Sequence, residues 1–381
     1  MRYLPLVWAG LVRRPVRSLL TFLSIMVAFI LFALLGGISA GLAHVREVSR
    51  LDRLYTMPRF GAPLPYADLA KIAKIPGVTI AAPRAFLRGY YRDPKNTIAV
   101  QMSRPDFFAA QDDIVISKEQ IAAFAGNRTA AIVGVGFAHA YGWKVGDRIT
   151  INSATLSSSG ARSWVFDIVA VAQDSDYPDL PFVIGNYDYF DQARATGKGT
   201  IDIVTVRTNR ADRATEIARE IDALFANSPT PTRTVSEKVN QQSATQALGD
   251  VDVLTRAVSS AVLFMLLFLT GNTMMQSVRE RIPEFAVMRT LGFSDTGTLA
   301  LISAEAFFLC AVAGLCGLLT AKLGFVLLQG KLPLGLSSLV MISWSGMAIG
   351  FAFALAVALG STIIPALRLR RMNLVDALAG R

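Results

Sequence analysis

The chain is short of charge: 17% of its 381 residues are Asp, Glu, Lys or Arg, while 52% are apolar, and an average soluble domain carries about a quarter charged residues. A water-soluble surface over the whole chain is therefore excluded. Cysteine is scarce as well. Cys310 and Cys316 are the two present, both inside one apolar run; their spacing on one helix is poor for pairing, and neither staples an extracellular domain. They read as small core residues. His44 and His139 are the two histidines, far apart in the chain, which leaves no Cys/His set for a structural zinc. A nucleotide loop is missing too. The segment GKGT at 197–200 resembles one, but Gly199 stands where the phosphate-loop pattern needs Ser or Thr. The chain is expected to be no enzyme and to hold no cofactor or metal of its own.

What is present is long apolar runs. Residues 18–43, 257–278, 299–328 and 340–364 are each long enough, at about 1.5 Å per residue, to cross a hydrocarbon core of about 30 Å. Glu305 and Lys322 are the charges within the third run. The net charge of +10 is concentrated beside the spans rather than in a nucleic-acid-binding patch. Arg2, Arg13, Arg14 and Arg17 precede the first span, Arg279, Arg281 and Arg289 separate the second from the third, and Arg368, Arg370, Arg371 and Arg381 follow the fourth. All three groups fall on one side, so the positive-inside rule places both termini in the cytoplasm. Residues 1–17 carry an apolar stripe (Leu4, Val7, Trp8, Leu11, Val12) beside Arg13 and Arg14, the pattern of an interfacial helix that Pro15 turns into the bilayer.

Residues 44–255 are then a large α/β domain on the outer side. Its ends, about 44–112 and 200–255, alternate helix and strand, whereas 113–199 has the strand-turn-strand density of a β-rich insertion. The stretch 228–246 is polar and carries no predicted element. Asp174, Asp176 and Asp179 lie close together, but without an EF-hand pattern they read as a solvated loop. His139 has no nucleophile at motif spacing and reads as structural. Residues 329–339 form a short outer loop and 365–381 a cytoplasmic tail.

The cytoplasmic stretch 279–298 holds a candidate docking element. Pro283 is tolerated only in a first helical turn, so a short helix is predicted from Ile282 to Leu291, closed by Gly292. It presents Glu284 and Arg289 with Phe285, Val287 and Met288, an apolar content suited to a protein interface. Glu305, in the cytoplasmic half of the third span, is a functional candidate, since an ionisable group there is costly unless paired or neutral. Gly314, Gly317, Ala313 and Ala321 give that span a small-residue face for close packing.

This organisation resembles the MacB/FtsX-type ABC transporter permeases, which have one span, a large periplasmic domain and three further spans. The most specific stretch is NTMMQSVRERIPEFAVMRTLGFSDTGTLALISAE (272–305), similar to the family's coupling segment, with Glu280-Arg281, Glu284, Gly292 before the next span and Glu305 within it. NLVDAL (373–378) is similar to the closing motif, although Asn373 stands where proline is usual, and Pro283 also departs from the pattern. Residues 131–151 look like the family's periplasmic strand, helix and Lys-Val-Gly-Asp turn. The resemblance implies an inner-membrane half-transporter whose periplasmic domain has a porter-like part and an inserted β-rich part. It implies a separate ABC ATPase dimer that binds ATP and Mg, docked on Glu280, Arg281, Glu284, Phe285, Met288, Arg289 and Gly292. It further implies a second permease copy or paralogue, and in some members a periplasmic adaptor and an outer-membrane channel. ATP-driven motion would be transmitted to the periplasmic domain to export a lipid, lipoprotein or small amphiphile. The alternative is an FtsX-like regulator of a peptidoglycan hydrolase.

Overall fold

The computed structural model describes residues 15–247, 251–280, 295–328 and 340–370. In chain order these form α1 (Pro15–Val48), β1 (Arg53–Pro58), β2 (Leu64–Pro65), α2 (Asp68–Ile72), β3 (Val78–Tyr90), β4 (Thr97–Ser103), α3 (Phe107–Ala110) and β5 (Ile114–Val115). Then follow α4 (Lys118–Gly126), β6 (Ala130–Gly134), α5 (Val135–Tyr141), β7 (Arg148–Ser153), β8 (Ser163–Asp174), β9 (Val183–Asn186), α6 (Tyr187–Ala193), β10 (Thr200–Ile201) and β11 (Ile203–Thr208). After a single 3-10 turn at Ala211–Arg213 come α7 (Ala214–Phe225), β12 (Thr232–Ser236), α8 (Glu237–Ala247), α9 (Val251–Glu280), α10 (Asp295–Leu328) and α11 (Trp344–Arg370). The chain divides into two compact units, one holding the long helices and the other residues 43–249.

Within the second unit the strand order β12-β1-β11-β3 is antiparallel throughout. The chain passes β1, α2, β3 and later β11, α7, β12, which is the split βαβ arrangement of ferredoxin-like folds. Helix α7 shows why it lies on this sheet: Ala214, Ile217, Ala218, Ile221 and Phe225 are buried at helical spacing. Strand β3 carries the chain out of this sheet. Its first half, to Arg84, pairs with β11, and from Ala85 onward it pairs with β4. The pairing then runs β4-β9-β6-β8-β7 and returns to β3 through Gly89 and Tyr90. Six strands thus close a ring, which leaves few free edges. Gly89 is needed at the closure: a Cβ there would stand 2.3 Å from the Asn152 carbonyl oxygen. Strands from before and after Asp113 share this ring. The core is built from Leu87, Val100, Ile151, Trp164 and Phe166, all buried.

One sequence reading changes here. The polar stretch 228–246 contains β12 and α8, because β12 completes the sheet beside β1 and its hydroxyls are satisfied: Thr232 and Thr234 both donate to Asp222 on α7 at 2.8 Å.

The other unit contains four helices long and apolar enough to cross a membrane: α1, and within α9, α10 and α11 the segments Val253–Gln276, Phe307–Leu327 and Trp344–Ser361. The fourth helix starts at Trp344 rather than Val340, since residues 340–343 form no regular secondary structure and Met341 N–H donates to the Gly37 carbonyl at 2.9 Å. The small-residue face of α10 does pack closely. A Cβ on Gly317 would lie 2.5 Å from the Met26 carbonyl oxygen of α1, and one on Gly314 would lie 2.8 Å from Ala354 Cβ of α11. Cys310 is buried in this interior and both cysteines are free thiols.

Candidate functional site

Immediately beyond α1, at the start of β1, lies Arg53, a fully buried arginine. An unpaired guanidinium is not tolerated there, and the fold surrounds this one with acceptors. Its Nε donates to the Ala110 carbonyl at 3.1 Å, Nη1 to Asp113 at 3.0 Å and to Glu237 at 3.1 Å, and Nη2 to Asp112 at 3.1 Å and again to Asp113. The cluster joins three parts of the chain. Asp112 and Asp113 join α3 to β5, Glu237 is the first residue of α8, and Arg53 opens β1.

Strand register explains why Asp112 is needed. Arg53 pairs directly with Arg207 of β11, and like charges opposite one another destabilise a sheet. Asp112 takes two hydrogen bonds from Arg207, at 3.0 and 3.1 Å, as well as one from Arg50 at 2.7 Å. Asp52 pairs with Arg207 at 3.1 Å and with Arg50 at 3.4 Å. On the same face of β1 as Arg53, two residues on, Tyr55 donates its hydroxyl to Glu237 at 3.0 Å. The Arg50 backbone N–H also reaches Glu237, at 3.2 Å, and Lys238 N–H returns to the Arg50 carbonyl at 3.1 Å.

The electrostatics follow. Burial by itself would lower the Arg53 pKa, but the hydrogen bond with Asp113 and the charges of Glu237 and Asp113 reverse this, and it lies above the ordinary arginine value. Burial and the Glu237 carboxylate push the Tyr55 phenol up to about 12, so it stays a donor. Asp112, despite partial burial, is held below the usual carboxylate range by Arg207 and Arg50. Beside the cluster, Arg84 stacks its guanidinium against Tyr55, Phe86 and Phe107 at 5.4, 5.4 and 5.8 Å. It sits at the residue where β3 changes pairing partner.

The ring is tied to the same root. Ser175 N–H donates to the Asp113 carbonyl at 2.8 Å, and Tyr177 meets His44 of α1 edge to face at 5.3 Å. This corrects the solvated-loop reading at Asp174, which is buried and whose Oδ1 accepts from Asp176 and Tyr177 N–H at 2.9 Å each, while Asp179 is exposed in the loop. Among the described residues no group of three His, Cys, Asp or Glu is placed to hold a metal. The GKGT loop is likewise structural, with Gly199 N–H donating to Asp191 at 2.8 Å.

In the helical unit, Glu280 closes α9 and accepts from Arg17 Nη2 at 2.7 and 2.9 Å. The pair joins the first turn of α1 to the last turn of α9, which places those two ends on the same side. Beside it a cavity of about 480 Å³ is lined by Pro15, Val16, Arg17, Leu20, Thr21, Ser24 and Leu269. Glu305 lies half-buried on α10. Lys322 places its ammonium 3.4 Å from the centre of the Trp344 ring. Arg281, Glu284, Phe285, Met288, Arg289 and Gly292 lie outside the described residues. Arg53, Asp112, Asp113 and Glu237 were missed from the sequence. The signal was faint: a charged residue between Asp52 and Leu54, and an acidic pair, are ordinary surface patterns until the sheet register brings them together.

A bundle of membrane helices interrupted after the first by a split-βαβ domain defines a permease-type membrane protein with no nucleotide-binding domain among the described residues. The MacB-like periplasmic core domain matches residues 18–224 and the FtsX-like permease C-terminal domain matches residues 256–374. The chain belongs to the MacB/FtsX-like family of ABC transporter permeases. Family and spans together make it an inner-membrane protein, and permeases of this family function with ABC ATPase partners. Among solved structures, the extracellular domain of the ABC-type transporter YknZ from Gram-positive bacteria is 15% identical, with 48% of this chain and 98% of that chain covered and a TM-score of 0.36. The periplasmic region of MacB from Actinobacillus actinomycetemcomitans is 10% identical, with 51% and 92% covered and a TM-score of 0.36. A domain of a putative permease protein from Porphyromonas gingivalis is 12% identical, with 48% and 85% covered and a TM-score of 0.29. No curated protein matches the chain.

Proposed function

We propose that this chain is the permease half of an ATP-driven transporter that passes the motion of a cytoplasmic ABC ATPase dimer to its periplasmic domain, extruding a lipid, lipoprotein or small amphiphile. Both termini are cytoplasmic in this reading, two permease copies assemble, and an adaptor and outer-membrane channel are candidate further partners. ATP and Mg belong to the ATPase. Docking falls to Glu280, Arg281, Glu284, Phe285, Met288, Arg289 and Gly292, and Glu305 serves bundle integrity or coupling.

One observation carries the reading. Helix α1 has 34 residues and α9 has 30, which at about 1.5 Å per residue exceed the span of a hydrocarbon core of about 30 Å. Within the domain, the segment that follows α1 in the chain and the start of α8 meet at one buried cluster, through Arg53 and Glu237. In this reading that cluster is where motion enters the domain. Purification from the native membrane in mild detergent, with co-purifying chains identified and ATP hydrolysis assayed, tests it. Recovery of an ATPase supports the reading, whereas a complex without one overturns it. A peptidoglycan hydrolase among the partners would transfer the assignment to FtsX-like regulation. Glu284→Arg or Arg289→Glu is expected to release the ATPase from a folded, inserted permease.

A further inference from the structure

From the geometry around Arg53 we infer that the six-stranded ring is driven through a specific latch, the Asp112–Asp113 pair on Arg50, Arg53 and Arg207. This rests on the proposed transmission of ATPase motion and names the residues that pass it on.

The ring joins the split-βαβ sheet along β3 and at the return into β10 and β11, and the two share one hydrophobic core. The latch adds a polar link at a different place. Asp112 accepts from all three arginines, at 2.7 Å from Arg50, 3.1 Å from Arg53 and 3.0 Å from Arg207, and Asp113 accepts from Arg53 twice. Directly after Asp113, β5 pairs with the end of β8, Ile114 with Asp174 and Val115 with Gln173. A displacement of the arginines is therefore delivered to a strand of the ring.

Arg53 is the common element. Its Nη1 is shared between Glu237 at 3.1 Å and Asp113 at 3.0 Å, so the beginning of α8 and the ring are held by one guanidinium. A planar fork with five N–H donors makes this possible, and lysine cannot reproduce it. Arg53 is thus a positioning residue that acts through its partners.

The test uses the permease with its co-purified ATPase in nanodiscs, with Cys310 and Cys316 replaced by alanine. Spin labels are placed at Ser159, exposed on the β7–β8 hairpin of the ring, or at Val239, exposed on α8. Distances between the two copies are measured without nucleotide and with ATP and vanadate. In the parent protein both labels are expected to shift. In Asp112→Asn/Asp113→Asn, ATP hydrolysis and the Val239 shift persist, while the Ser159 shift falls by about twofold or more, the lower end of the range for residues that carry coupling. Equal shifts at Ser159 in parent and variant overturn the latch, and so does equal loss at both labels in a folded variant. If the double variant does not fold, Asp112→Asn, whose side chain is 45% exposed, makes the same test with a smaller expected change. Absence of any nucleotide-dependent shift in the parent instead sinks the proposed function, which keeps the two failures apart.

Discussion

In the large domain the most deeply buried side chains are big, Trp164, Phe107, Phe124 and Phe166 among them; in the helical unit Cys310, Ala313, Ala354 and Ala358 are fully buried while Phe264, Met265, Phe268 and Leu323 face outward. The two interiors answer to different solvents. Water drives large apolar surface inward at about 25 cal/mol per Å². Lipid does not, so membrane helices gain by close backbone approach at small residues. Larger side chains enter the bundle where small residues make room: Phe29 is buried because Gly314 and Gly317 of α10 leave space for its ring and for the α1 backbone. The domain also holds buried charge, and Arg53 is kept there by a cluster of hydrogen-bonded acids.

The largest expected effect breaks that cluster. Arg53→Ala leaves Glu237 and Asp113 facing each other without a cation, and loss of one partner from a buried ion cluster costs about 3–5 kcal/mol. The thermal transition of the domain, followed by Trp143 and Trp164 fluorescence, is expected to collapse or disappear. A transition within a few degrees of the parent would show that water, not Arg53, satisfies the acids.

In the bundle, Gly317→Leu drives a side chain into the Met26 carbonyl and is expected to cost about 1–3 kcal/mol by overpacking. Unfolding in detergent reads this. Gly36→Leu, where nothing lies within 4 Å of the added Cβ, is the matched control and is expected to be near neutral. Equal effects from both would remove the close-packing account.

Acid sharpens the comparison further. Asp112 is held below its ordinary pKa, so the stability it contributes is fully present above the unfolded carboxylate value of about 3.9 and is lost as pH falls through the lower folded value. Asp174 is the opposite case. Burial raises its pKa, so its favourable contribution is present below the unfolded value and is lost as pH rises through the folded one. Asp174→Asn keeps the acceptor for the 176–177 turn and is expected to stabilise the domain slightly at pH 7, with the gain vanishing near pH 4. Asp112→Asn is expected to destabilise at pH 7 and to converge with the parent in acid. Parallel pH profiles for the two variants would contradict these assignments.

The smallest change expected is at the membrane edge. Lys322→Met removes the cation over Trp344, worth about 0.5–1 kcal/mol at an exposed site. A shift in Trp344 emission with little change in stability is the expected result, and an unaltered spectrum would place the ammonium elsewhere.

Much of this protein follows from the sequence alone. Long uncharged runs have no stable place but a bilayer, so the four spans, the intervening domain and the small-residue face of α10 were legible in residue order. Tertiary structure decided the rest. The path of β3 through two sheets, the incorporation of β12 and α8 from a polar stretch, and the role of Arg53 all depend on partners far along the chain. Arg53 meets Glu237 across 184 residues and Asp113 across 60. Local periodicity cannot encode such a pairing, because a buried charge looks like a surface charge until its register places it opposite acids that make burial possible.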